Sequence, residues 1–164
     1  MTNYTRFQVL ACLVLLCGAS IPSWGATPDA PRDTVAAFNV AISERRLDAA
    51  LKTLAAGSVN FNLASAHSFT AAPGSVQPLT TDLTTHWRSI APVLFSANRR
   101  YTREVVEATT HVDGDLAVVW VRMRTRSEPP RGAPTLLVFS ETYLLRREQA
   151  EWKIMGIANS RQTR

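Results

Sequence analysis

Several side chains in this sequence have types and spacings that could do chemistry. The stretch LAVVWVRMRTR, Leu116 to Arg126, sets Trp120, Arg122, Arg124 and Arg126 two residues apart. In an extended chain they share one side. An arginine beside a tryptophan in so apolar a strand suits either an anionic or carbonyl ligand group or a buried carboxylate partner. Glu141 and Tyr143 repeat the two-residue spacing in TLLVFSETYLLRR, Thr135 to Arg147. Glu141 could position a guanidinium or move a proton, and Tyr143 could donate to a ligand oxygen. Glu107 is a second carboxylate, which beside Glu141 would suit acid–base work. His86, next to Trp87, titrates near neutrality. His67, His86 and His111 lie at no metal-ligand spacing, and neither HxH nor HExxH occurs, so no metal and no cofactor are expected. No GxSxG, P-loop or GxGxxG is present.

The elements that must position these residues follow from periodicity. The helical pattern starts at Asp33, with Val35, Phe38 and Ile42 on one face. Asp48 can cap a second short helix, AALKTLAA, which Gly57 would stop. Val59, Phe61 and Leu63 alternate as a short strand, and an uncharged loop holding His67 and Phe69 follows, either a lid or rim or merely a mobile segment. A third helix is expected from about Thr80 to Ile90, with Leu83, Trp87 and Ile90 on one face and Pro92 at its end or a kink. Four long strands then follow. REVVEATTHV meets LAVVWVRMRTR across the tight turn DGD. SEPPRGAP leads to TLLVFSETYLLRR, and EQAE leads to WKIMGIANS. Helices followed by antiparallel strands make an α+β domain, with helices on one face of a curved sheet.

Closing the three turns symmetrically gives a register. Arg122 then lies opposite Phe139, Trp120 opposite Glu141, Glu107 near Trp120, Tyr143 opposite Gly156 and Leu145 opposite Ile154. One face would carry Glu107, Trp120, Arg122, Phe139, Glu141, Tyr143, Trp152, Ile154 and Gly156. The other would carry Val106, Val119, Val121, Val138, Ser140, Leu144, Met155 and Ile157. A slip of one residue swaps a strand's facing. By pattern alone the second, more apolar face is the core.

The chain begins with Arg6, an apolar run from Phe7 to Cys17, then Pro22 and small residues at Ser23 and Gly25. That is the order of a secretory signal peptide, with cleavage expected after Gly25 and a flexible lead-in over 26–32. The run is too short to span a bilayer comfortably, so no membrane association is expected once the leader is gone. Lipidation at Cys17 is disfavoured by the large Leu16 before it. Cys12 and Cys17 both leave with the leader, so the mature chain, periplasmic or secreted, has no disulfide or thiol chemistry. The formal charge of +5 drops by one with Arg6. Arginines are scattered as Arg45-Arg46, Arg99-Arg100 and Arg146-Arg147 rather than clustered, so nucleic acid is not an expected partner.

Three stretches carry a resemblance. AFNVAISERRLDAALKTL (Ala37 to Leu54), VDGDLAVVWVRMRT (Val112 to Thr125) and SETYLLRREQAEWKIMGIANS (Ser140 to Ser160) resemble the nuclear transport factor 2-like superfamily, also called SnoaL-like or ketosteroid isomerase-like. The flavour is nearest to the association domain of calcium/calmodulin-dependent protein kinase II, which has an arginine matching Arg122, the pair matching Glu141-Thr142 and the tryptophan matching Trp152. That domain's histidines fall at Gly156 and Ala158 here, and its arginines at Asn159 and Tyr143, so its pocket chemistry does not carry over. The resemblance implies one cone-shaped domain over 33–161, with a curved, mostly antiparallel sheet packed on N-terminal helices. It also implies that the face with Arg122 and Tyr143 lines a pocket, while an apolar outer face joins subunits. Trp120, Arg122, Glu141, Tyr143, His86 and Glu107 are then the expected ligand-binding residues, with Arg122 and Glu141 paired across neighbouring strands. The expected function is an exported small-molecule-binding protein, a homodimer or larger. An isomerase, cyclase or dehydratase using Glu141, Tyr143 or His86 is one alternative. An assembly domain with a vestigial pocket is another.

Overall fold

The computed structural model describes residues 30–61 and 80–159. The expected leader, the loop with His67 and Phe69, and the last few residues lie outside them. Helix α1 spans Pro31–Ser43, two residues earlier than expected. Pro31 at its start needs no intrahelical N–H partner, and Asp33 in the first turn suits the helix dipole. Its inward face is Thr34, Val35, Phe38, Asn39, Ala41 and Ile42, packed against the sheet. Arg45, at φ 60°, turns the chain into α2, Leu47–Leu51.

The expected second helix is shorter than its sequence pattern. Strand β1, Leu54–Phe61, takes the residues after it, because Leu54 is buried opposite Ile154. Gly57, expected to stop the helix, instead lies in the strand at φ 72°, where the pairing with the last strand shifts register. Only glycine adopts that conformation without strain. Strand β2, Thr80–Asp82, leads into α3, Leu83–Ala97. The Asp82 side chain caps α3 by accepting from the Thr85 N–H at 2.6 Å. The helix runs on past Pro92, whose ring faces solvent, rather than ending near Ile90.

Four long strands complete the sheet: β3 Arg100–Asp113, β4 Leu116–Glu128, β5 Thr135–Glu148 and β6 Glu151–Asn159. The order across it is β2-β1-β6-β5-β4-β3. All neighbours are antiparallel except β1 and β6. This is the expected α+β architecture, a curved, mostly antiparallel sheet with helices on its inner face. The core joins α1 and α3 to that face through Val35, Phe38, Ile42, Leu83, Trp87, Val119, Val121, Met123, Tyr143, Leu145 and Ile154. Phe38 sets its ring edge-on to Trp87 at 5.3 Å and to Tyr143 at 6.4 Å.

The registers correct the face assignment. Arg122 lies opposite Ser140, not Phe139, and Trp120 opposite Thr142, not Glu141. The β4–β5 turn is centred on Arg131, half a residue from the centre of SEPPRGAP. That half-residue moves the pairing by one and turns β4 over relative to β5. Ala117, Val119, Val121, Met123 and Thr125 therefore face inward, as the apolar pattern of β4 by itself requires. Trp120, 39% exposed, and Arg122 face outward. A bulge between Val105 and Glu107 sets Glu107 opposite Arg122 rather than near Trp120. On β6 Leu145 does lie opposite Ile154, but a register shift follows, and Tyr143 meets Ile157 instead of Gly156.

Candidate functional site

The inner face of β3 begins with Tyr101 and Arg103, both buried. Arg103 is pinned through its backbone first. Its N–H donates to Ser43 Oγ at 2.8 Å, and that hydroxyl is also within bonding distance of the Asn39 carbonyl at the end of α1. The guanidinium then lies between helix and sheet. Its Nε donates to Asn39 Oδ1 at 2.6 Å and its Nη2 to Glu141 Oε2 at 2.6 Å. Both side chains of this ion pair are 4% exposed. The face of Trp87, on α3, lies 5.4 Å from the guanidinium carbon.

Tyr143, two residues along β5, donates to the same Glu141 oxygen at 2.6 Å. Asn39 Nδ2 donates to Tyr143 Oη at 3.0 Å and to the Val35 carbonyl at 2.8 Å. Asn39 thus spends both amide ends on the network, which fixes its orientation. Burial, reinforced by the neighbouring Glu141 charge, pushes the Tyr143 phenol far above its ordinary range and keeps it a donor. Burial is the largest influence and would pull the Arg103 guanidinium down, but the Glu141 charge, with Tyr143, Tyr101 and the Glu141 hydrogen bond added to it, outweighs burial and holds Arg103 protonated.

Above this network lies a small concavity of about 70 Å³ that opens to solvent. One wall is α3, through His86, Trp87, Ile90 and Leu94. The floor is Tyr101, Arg103 and Glu141, with Ile157 beside them, and Asn60 and Asn159 add amides from β1 and β6. Partial burial lowers the His86 pKa, so the imidazole is a neutral donor–acceptor at pH 7. Its ring stands edge-on to Trp87 at 6.0 Å. The cleft therefore pairs an apolar wall with a floor rich in hydrogen-bonding groups, the usual make-up of a small-molecule site.

Of the six residues expected to bind ligand, Glu141 and His86 line this cleft, and Tyr143 supports Glu141 from within the core. Trp120, Arg122 and Glu107 do not approach it. They lie on the opposite face of the sheet, all exposed, because of the turn centre and the Val105–Glu107 bulge. The expected Arg122–Glu141 pair is absent, and Glu107 and Glu141 form no carboxylate pair. The cation that Glu141 binds is Arg103. Sequence reading missed Arg103 and Asn39. Arg103 shares its parity with Tyr101 and Val105, a lone cation on the inward side of a strand, and that signal was available. Asn39 directly follows Phe38, inside the arc of the apolar face of α1.

No family model matches the sequence, nor does any curated protein. Solved structures do match. One is a nuclear transport factor 2-like protein of unknown function from Pseudomonas putida, 18% identical, covering 81% of this chain and 84% of its own, at a TM-score of 0.61. Another, from Xanthomonas campestris, is assigned as a calcium/calmodulin dependent protein kinase II association domain. It is 12% identical, covering 84% and 93%, at a TM-score of 0.61. A third, from Novosphingobium aromaticivorans and assigned as a scytalone dehydratase, is 7% identical, covering 80% and 81%, at 0.63. At these identities the likeness is one of fold.

Proposed function

We propose that this chain, whose fold is the nuclear transport factor 2-like cone, is an exported small-molecule-binding protein. The observation that carries the reading is the cleft between α3 and the sheet, with Trp87, Ile90 and Leu94 on one side and Asn60, Asn159, His86 and the Arg103–Glu141 pair facing them. A ligand of modest size would lay an apolar part against α3 and turn a polar group to the floor. Native mass spectrometry of protein isolated from its own source tests this. A co-purifying small molecule is expected, and Ile90→Trp, which fills the cleft from the half-buried wall, should lose it. Bare mass in both proteins would overturn the reading. Export rests on the leader pattern alone. Its cleavage after Gly25 would leave every described residue in place, and N-terminal sequencing of the extracytoplasmic fraction checks it.

A second reading is an enzyme of the isomerase, cyclase or dehydratase type. It is favoured by the neutral His86 imidazole over the same cleft as Glu141. It requires that His86→Gln stop conversion of the bound compound while leaving its binding intact. We further infer a homo-oligomer joined through the outer sheet face. There Leu116, Val118, Trp120, Leu136, Val138 and Leu144 are exposed on the adjacent strands β4 and β5, and a contiguous apolar patch of this kind suits a subunit contact.

A further inference from the structure

We propose that Glu141 is a built-in counter-anion that sets the ligand class of this cleft, which takes uncharged molecules bearing a carbonyl or hydroxyl and refuses anions. The proposal rests on the binding reading above and deepens it. Arg103 is the cation at the cleft floor, and an open arginine there would select carboxylates or phosphates. It is not open. Glu141 Oε2 accepts from Nη2 at 2.6 Å, Asn39 Oδ1 accepts from Nε at 2.6 Å, and Trp87 covers one face of the guanidinium.

An entering anion would face the Glu141 carboxylate, which lines the same cleft. To reach Arg103 it would have to displace a partner whose other bond, from Tyr143 Oη at 2.6 Å, holds it in the core. An entering cation would face Arg103. The two formal charges cancel, and the other polar groups of the lining, among them the Tyr101 hydroxyl, the amides of Asn60 and Asn159 and the His86 imidazole, carry no charge. A neutral ligand pays neither repulsion. The device is negative selection, since the carboxylate does more to exclude the wrong ligand than to hold the right one.

The test uses a matched pair of probes, naphthalene-2-carboxamide and 2-naphthoate, titrated calorimetrically into the wild-type protein and into Glu141→Gln. The wild type should bind the carboxamide at least about tenfold more tightly than the carboxylate, because a like charge meeting Glu141 is strongly disfavoured. Glu141→Gln keeps the shape, uncovers the charge of Arg103 and should reverse the order. Equal or tighter binding of 2-naphthoate by the wild type overturns the proposal while leaving the binding reading intact. Saturation by neither probe in either protein overturns both.

Should Glu141→Gln not fold, Glu141→Ala with added formate replaces it. Formate should raise the melting temperature of Glu141→Ala above that in chloride of equal ionic strength, by refilling the place beside Arg103. It should do nothing comparable for the wild type. A formate increment equal in both proteins overturns the proposal.

Discussion

Replacing Arg103 by methionine should destabilise this protein more than replacing Arg103 and Glu141 together. The single change leaves the Glu141 carboxylate 4% exposed, with Tyr143 still donating but its cation gone. Breaking a buried pair by removing one partner costs about 3–5 kcal/mol, because the surviving charge is left desolvated. At roughly 2–5 °C per kcal/mol for a domain of this size, the melting temperature should fall by roughly 6–25 °C. Arg103→Met with Glu141→Leu removes both charges. What then remains is the orphaning of Tyr143 Oη and Asn39 Oδ1, at about 1–3 kcal/mol each, and the Tyr143 hydroxyl already lies 3.4 Å from Asn39 Oδ1 and can donate to it. The double variant should therefore cost about 1–3 kcal/mol, less than the single. Urea unfolding at constant m-value reads both. A loss below about 1 kcal/mol for Arg103→Met, or a double variant as costly as the two singles added, would refute the account of a desolvated, mutually dependent pair.

Three other outcomes follow from the same geometry. Tyr143→Phe should lose about 1–3 kcal/mol, because Glu141 and Asn39 each lose a partner in the core; chemical denaturation measures it. Since burial lowers the His86 pKa, the unfolded chain takes up a proton first as the pH falls through the ordinary histidine value. Stability should therefore decline from neutrality through that value until the folded-state pKa is passed, and His86→Gln should remove this part of the pH–stability profile. Trp120→Glu should split a homo-oligomer into monomers in light scattering while leaving the fold unchanged, since the side chain lies on the outer face, 39% exposed.

The order of elements was legible because long amphipathic runs and a two-residue turn carry it. The DGD turn closes at Gly114, φ 57°, with Asp113 opposite Leu116. The facing of β4 was legible too, in its own alternation of Ala117, Val119, Val121 and Met123. Pairing it with β5 through a guessed turn centre overrode that pattern and moved Trp120 and Arg122 to the wrong side. Tyr143 and Glu141 share a parity and face inward together. The outward facing of Glu107 was hidden for a different reason. After Arg103 the strand reads Glu104-Val105-Val106-Glu107, and the bulge there resets which residues face inward. Nothing in the local composition marks that extra residue, so alternation could not be carried from one end of β3 to the other.

The parallel pairing of β1 with β6 has a consequence for how the molecule comes into being. Strand β6, the last in chain order among the described residues, sits between β1 and β5, so residues near Leu54 find their partners across the sheet only when Ile154 arrives. A chain emerging from the ribosome can form α1 and the β3–β4 hairpin early. It cannot join the two sides of its sheet until β6 has emerged. Contacts so distant in sequence close slowly. Under the export proposed above, that delay would extend the time during which the chain remains open enough to be threaded.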